Sequence, residues 1–107
     1  MLYKFKSKAA GDLIMTAPVG DRMMALVGRA PAAQGIFLVA QMPAAIAALE
    51  QGIADEEHAR REAEAEAAAE GRTLPPPKDV SLRQRAWPLI EMLKRAHEAD
   101  KDVVWGV

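Results

Sequence analysis

The chain has 107 residues, 50% of them hydrophobic, and a formal net charge of -1. That length supplies one core and little room for a deep enclosed active site, and the near-zero charge removes bulk attraction to nucleic acid or anionic membrane. The absence of cysteine excludes disulfides, thiolate catalysis and cysteine metal sites, and fits a reducing compartment.

The opening MLYKFKSKAAGD interleaves charge with apolar residues, unlike a secretory signal. No stretch approaches the roughly twenty apolar residues of a membrane span. A cytoplasmic protein is therefore expected. In Leu2 to Ser7, Tyr3 and Phe5 point to one side and Lys4 and Lys6 to the other, the alternation of a half-buried strand. Ala9 to Asp12 interrupts the pattern. It resumes over Asp12 to Thr16, with Leu13 and Met15 on one face and Ile14 on the other, so an antiparallel hairpin with a longer loop is expected.

Pro18 to Val27 reads as a short helix with Met23, Leu26 and Val27 on one face, stopped by Gly28 and Pro31. Gly35 to Val39 is a compact apolar run favouring an extended segment. Pro43 to Gly71 reads as one long helix that changes character midway. Ile46, Leu49 and Ile53 form a core stripe in its front half. After Ile53 the apolar side chains are all alanines, which favour helix but bury little area, so the rear turns should project. Arg72 to Lys78 contains three successive prolines and should be an extended connector.

Ser81 with Gln84 matches a capping box, placing a helix start at Leu82. Leu82, Ala86, Leu89, Ile90, Leu93 and Ala96 then follow a core-facing stripe. Pro88 lies inside it and predicts a kink near Gln84 to Trp87, or a break into two helices. Val103 to Val107 is β-prone and is expected to join the opening hairpin in one sheet.

The segments MLYKFKSKAAGDLIM, QMPAAIAALE and SLRQRAWPLIEML together resemble a small uncharacterised proteobacterial family, a domain of unknown function. The resemblance spans almost the whole chain and implies no activity, cofactor or catalytic residue.

Asp55, His58 and Glu62 would share one helical face as candidate metal ligands. Partner helices lack matching ligands, and a solvated face with Glu56–Arg60 and Glu57–Arg61 pairs is the competing reading. Glu62, Glu66 and Glu70 form an acidic row within residues 55–72, which hold seven acidic side chains and three arginines. A basic partner surface could use that row. Lys4, Lys6 and Lys8 form a basic stripe, but the aromatics point away from it, so no nucleic-acid binding is expected. Ser7 and Ser81 are the only serines and neither has a nucleophile-elbow context. The glycines form no phosphate-binding pattern. Trp105, in a tail that could pair or exchange as an edge strand, is a candidate contact for self-association; otherwise it completes a monomer core.

The expectation is therefore one α+β domain over residues 1–107, in the order β-β-α-α-α-β. A small antiparallel sheet, the amino-terminal hairpin plus the carboxy-terminal strand, is covered by about three helices, with the helix end and connector at 55–79 projecting. The expected role is a non-catalytic interaction or assembly module, partnered by an unknown protein or by itself, with no catalytic residue, no cofactor and no membrane. The alternative is a small-ligand or metal-binding protein with a shallow site between the Trp87 helix and the hairpin. Enzymatic activity ranks third.

Overall fold

A computed structural model describes residues 2–77 and 80–107; the end of the proline-rich connector, residues 78 and 79, lies outside the described residues. The opening alternation folds as expected into strands β1 (Leu2–Ser7) and β2 (Ala10–Thr16). The loop between them is tighter than the sequence suggested. Ser7 pairs with Ala10, after a register shift between Phe5 and Ser7, so only Lys8 and Ala9 turn the chain. Pairing with β1 overrides the poor strand propensity of Ala10 and Gly11.

Thr16, in extended conformation, leads directly into α1 (Ala17–Leu26), whose first turn accommodates Pro18. Its fully buried residues are Gly20, Met23 and Met24, while Leu26 and Val27 pack at the core's margin. The Gly35 run forms β3 (Gly35–Phe37), followed by a 3-10 turn over Val39–Gln41 and then α2 (Met42–Ala69). Helix α3 (Leu82–Glu98) leads to β4 (Val103–Trp105).

The α+β fold and the order of the expected elements hold, and β3 adds a fourth strand. All pairings are antiparallel and the sheet order is β2-β1-β4-β3. The carboxy-terminal tail therefore does join the hairpin strand. It does so as an inner strand, correcting the expectation of an edge, because β3 closes on its other side through Ile36 opposite Val104.

The three helices pack on one face of this sheet. Tyr3, Phe5, Phe37, Val103 and Trp105 point into the core with Met23, Met24, Met42, Leu49, Leu89 and Leu93. On α3 the predicted stripe is buried in full, joined by Met92. On α2 the stripe is shifted: Met42, Ala45, Leu49 and Ile53 are buried, and Ile46 sits half-buried at its edge. The Ser81–Gln84 capping box forms, with Gln84 N–H donating to Ser81 Oγ at 3.2 Å. Helix α3 runs through Pro88 without a break.

All three helices end the same way. The backbone N–H of Arg29, Arg72 and Lys101 reaches back to Met24, Ala67 and Ala96, closing a Schellman motif around Gly28, Gly71 and Asp100. The two glycines and Asp100 accordingly have positive φ, at 79°, 73° and 58°.

The molecule is elongated. A compact chain of this length has a radius of gyration of about 13 Å, whereas this one measures 16.0 Å with a long axis of 52 Å. The connector doubles back along the rear turns of α2: Arg60 Nη2 donates to the Pro75 carbonyl at 2.9 Å. Beyond Ile53 the one buried residue of α2 is Ala67, at the chain reversal.

Candidate functional site

Charged side chains concentrate where α2 passes the start of α3. Glu56 accepts a hydrogen bond from the Leu82 backbone N–H at 2.9 Å, satisfying a donor the helix start leaves free, and its other oxygen pairs with Arg22 of α1 at 3.3 Å. Glu57 takes a two-pronged guanidinium contact from Arg83, at 2.9 and 2.8 Å. That contact holds the Glu57 carboxyl below its ordinary value, with the Arg83 hydrogen bonds as the main cause and the charges of Arg83 and Arg61 adding to it. The expected Glu56–Arg60 and Glu57–Arg61 pairs are thus replaced by bonds between helices, and Arg60 turns instead to Glu64 at 2.7 Å. Local spacing favoured pairs along one helix; the nearby start of α3 offers an unpaired N–H and a guanidinium, which compete better.

The candidate metal ligands do not converge. Asp55 accepts from Gln51 at 2.8 Å, while His58 Nε2 lies 3.1 Å from Glu62, both well exposed. Among the described residues no three histidine or acidic side chains are grouped to hold a metal ion. In the acidic row, Glu62 meets His58 and Glu70 meets Arg72, while Glu66 has no ion-pair partner among the described residues.

Trp87 is half-exposed on α3, with Lys94 Nζ 5.9 Å from its ring centroid. The hollows beside it are lined by Glu50, Ile53, Ala54, Arg83 and Ile90, and by Arg83, Gln84 and Pro88. Both are lined by residues of α2 and α3, and no hairpin residue contributes to either. Another crevice, about 590 Å³, lies between α1, α2 and the connector, with Arg22, Arg60, Arg61 and Ser81 on its walls.

Trp105 is inside. It is 2% exposed, its indole N–H donates to the Ala32 carbonyl at 3.1 Å, and Phe5 and Phe37 flank it with centroids at 5.6 and 5.3 Å. Gly35 lies opposite Trp105 in the β3–β4 ladder, and the indole fills the space that a Cβ there would occupy.

The side of the sheet away from the helices carries exposed aliphatic side chains. Leu2 is 62% exposed, Ile14 56% and Ile36 38%, and Val104 is half-buried between them. In register, Leu2 faces Thr16, Lys4 faces Ile14, and Lys6 and Ile36 flank Val104. Lys4 reaches Asp12 on the same face at 3.6 Å. The signal was present in the alternation that set Ile14 opposite to Leu13 and Met15; what it lacked was a reason to treat the outward residue as more than surface.

Sequence comparison matches residues 1–105 to one family profile, that of a domain of unknown function (DUF1840). The chain belongs to that family. Searches of curated proteins and of solved structures gave no match. The DUF1840 match thus covers nearly the whole fold, β4 included, and assigns no reaction to it. Among the described residues no helix is long and apolar enough to cross a membrane.

Proposed function

We propose that this DUF1840 protein is a non-catalytic interaction or assembly module, with the uncovered sheet face as its contact surface. The observation that carries this reading is the exposure of Leu2, Ile14 and Ile36 on one pleated face, with Val104 between them. Branched aliphatic side chains on a rigid sheet lose little entropy on being covered, and their burial contributes roughly 25 cal/mol per Å². The crevice between the helices supports the same reading, because its acidic groups and two of its arginines already have partners: Glu56 with Arg22 and the Leu82 N–H, Glu57 with Arg83, and Arg60 with Glu64. The acidic row of Glu62, Glu66 and Glu70 is an additional candidate contact for a basic partner.

The test uses the full chain with Leu2, Ile14 and Ile36 all changed to glutamate. The variant should keep the wild-type helical signal and a cooperative melt while losing the proteins that associate with it, further copies of itself included. An unchanged set of associates overturns the reading.

A second reading is a small anionic ligand in the crevice of Arg22, Arg60 and Arg61, favoured by its volume of about 590 Å³. A thermal-shift panel of phosphorylated and carboxylated metabolites tests it, since a selective ligand raises the melting temperature with occupancy. No shift at millimolar ligand removes it.

A further inference from the structure

The two edges of the sheet are finished differently. At β3 side chains occupy the edge backbone: Arg29 Nη1 donates to the Ile36 carbonyl at 2.6 Å, and Gln41 Oε1 accepts from the Leu38 N–H at 2.9 Å. The same Arg29 lies over the Phe37 ring at 4.4 Å, which fixes it in place. That edge is also only three residues long. At the other edge, β2 runs for seven residues, Ala10–Thr16, with one charge and no proline. Among the described residues no side chain hydrogen-bonds to its backbone. An unguarded edge of that length is a template for another strand, and natural sheets ordinarily block such edges.

We propose that β2 pairs antiparallel with β2 of a second copy of this chain, joining two four-stranded sheets into one. The inference rests on the assembly reading above and names its partner. Self-complementarity favours a second copy over a foreign strand. With the two-fold axis at Ile14, Asp12 falls opposite Thr16 of the second copy, a carboxylate facing a hydroxyl donor. Leu13 falls opposite Met15 on the helix side, and Ile14 meets itself on the open side. No like charges face each other, and Asp12 is already balanced by Lys4 within its own chain. The junction is apolar throughout on the helix side, where Leu13 is half-buried and Met15 is 7% exposed, and at its centre on the open side, where Ile14 is 56% exposed before pairing. Paired side chains directly across such a ladder each add to its stability.

Light scattering and sedimentation on the full chain across the micromolar range test this. A species of twice the 11.6 kDa chain mass is expected, with amide exchange in Ala10–Thr16 slowing as concentration rises. Ile14→Lys sets two ammonium groups across the axis at a solvent-facing position, and should weaken the dimer by about tenfold or more without lowering the monomer's helical signal. Ile36→Lys, the same change at the blocked edge, should leave the dimer intact. A wild-type chain that stays at the monomer mass overturns the proposal, as does a dimer indifferent to Ile14→Lys. Equal disruption by Ile36→Lys also overturns it, in favour of face-to-face packing. A monomer that still loses associates in the triple glutamate variant would sink self-pairing alone and leave the interaction reading standing.

Discussion

Two residues show how closely side chains have been fitted to glycine here. A methyl group on Gly35 would fall within the Trp105 indole, and the indole cannot slide freely because its N–H is held by the Ala32 carbonyl. Gly35→Ala should therefore lower stability by about 1–3 kcal/mol in urea denaturation, the usual cost of overpacking. Gly11, with nothing near the corresponding position and no positive φ, serves as the control: Gly11→Ala should be neutral or slightly stabilising. Tyr3 is the other fitted residue. Its ring lies against Gly20 and its hydroxyl donates to Asp21 at 2.5 Å. Burial, then the hydrogen bond and charge of Asp21, raise its pKa above the ordinary value of 10.0. A raised folded-state pKa means that the folded chain holds this proton more tightly than the unfolded chain. Its contribution is complete below pH 10.0 and fades as pH climbs from there through the folded-state value. Since Tyr3 is the one tyrosine, the tyrosinate absorbance of the native protein should titrate above that of the denatured chain. Tyr3→Phe should also flatten the alkaline loss of stability, and coincident native and denatured titrations would refute this.

At the scale of elements, α2 divides by what its turns bury. The front places Met42, Ala45, Leu49 and Ile53 in the core, whereas beyond Ile53 only Ala67 is buried, beneath the chain reversal. Native-state amide exchange should show strong protection from Ala45 to about Glu57 and markedly weaker protection from His58 to Ala65, because local opening there exposes almost no apolar area. Equal protection in both halves would mean that the connector, or a partner, stabilises the rear turns more than their contacts suggest. This division was legible in the sequence, since it depends on which residues follow one another along one helix. The Ser81 cap, the α3 stripe and the glycine stops were legible for the same reason. Features set by distant partners were not. The two-residue hairpin turn depends on β1 pulling Ala10 and Gly11 into register, and β3 becomes a strand through Val104, far along the chain. Glu56 and Glu57 bond across to α1 and α3 because those helices lie alongside, which i,i+4 spacing cannot reveal. The candidate contact surface was half legible: alternation placed Ile14 outward, but its alignment with Leu2, Val104 and Ile36 requires the strand order.

At the scale of the molecule, that strand order makes the last few residues the keystone of the sheet. Strand β4 lies between β1 and β3, so removing it breaks two ladders at once and separates β3 from the hairpin. It also strips Val103 and Trp105 from the core, at 0% and 2% exposure. Losing a buried tryptophan side chain alone costs about 3–5 kcal/mol, against a total stability of roughly 5–15 kcal/mol for a chain of this size. Adding the valine and both ladders should exhaust the remainder. A chain ending at Asp102 is thus expected to show no cooperative thermal transition by circular dichroism. A chain lacking only Val107, which is 71% exposed, should melt like the full protein. The helices of the truncated chain could still form locally, since the α3 stripe and caps are intact, so residual helical signal without a sigmoidal melt is the expected signature. A truncated chain that melts cooperatively near the full-length temperature would show that the helices and the hairpin hold together unaided, and that β4 is an accessory to the fold.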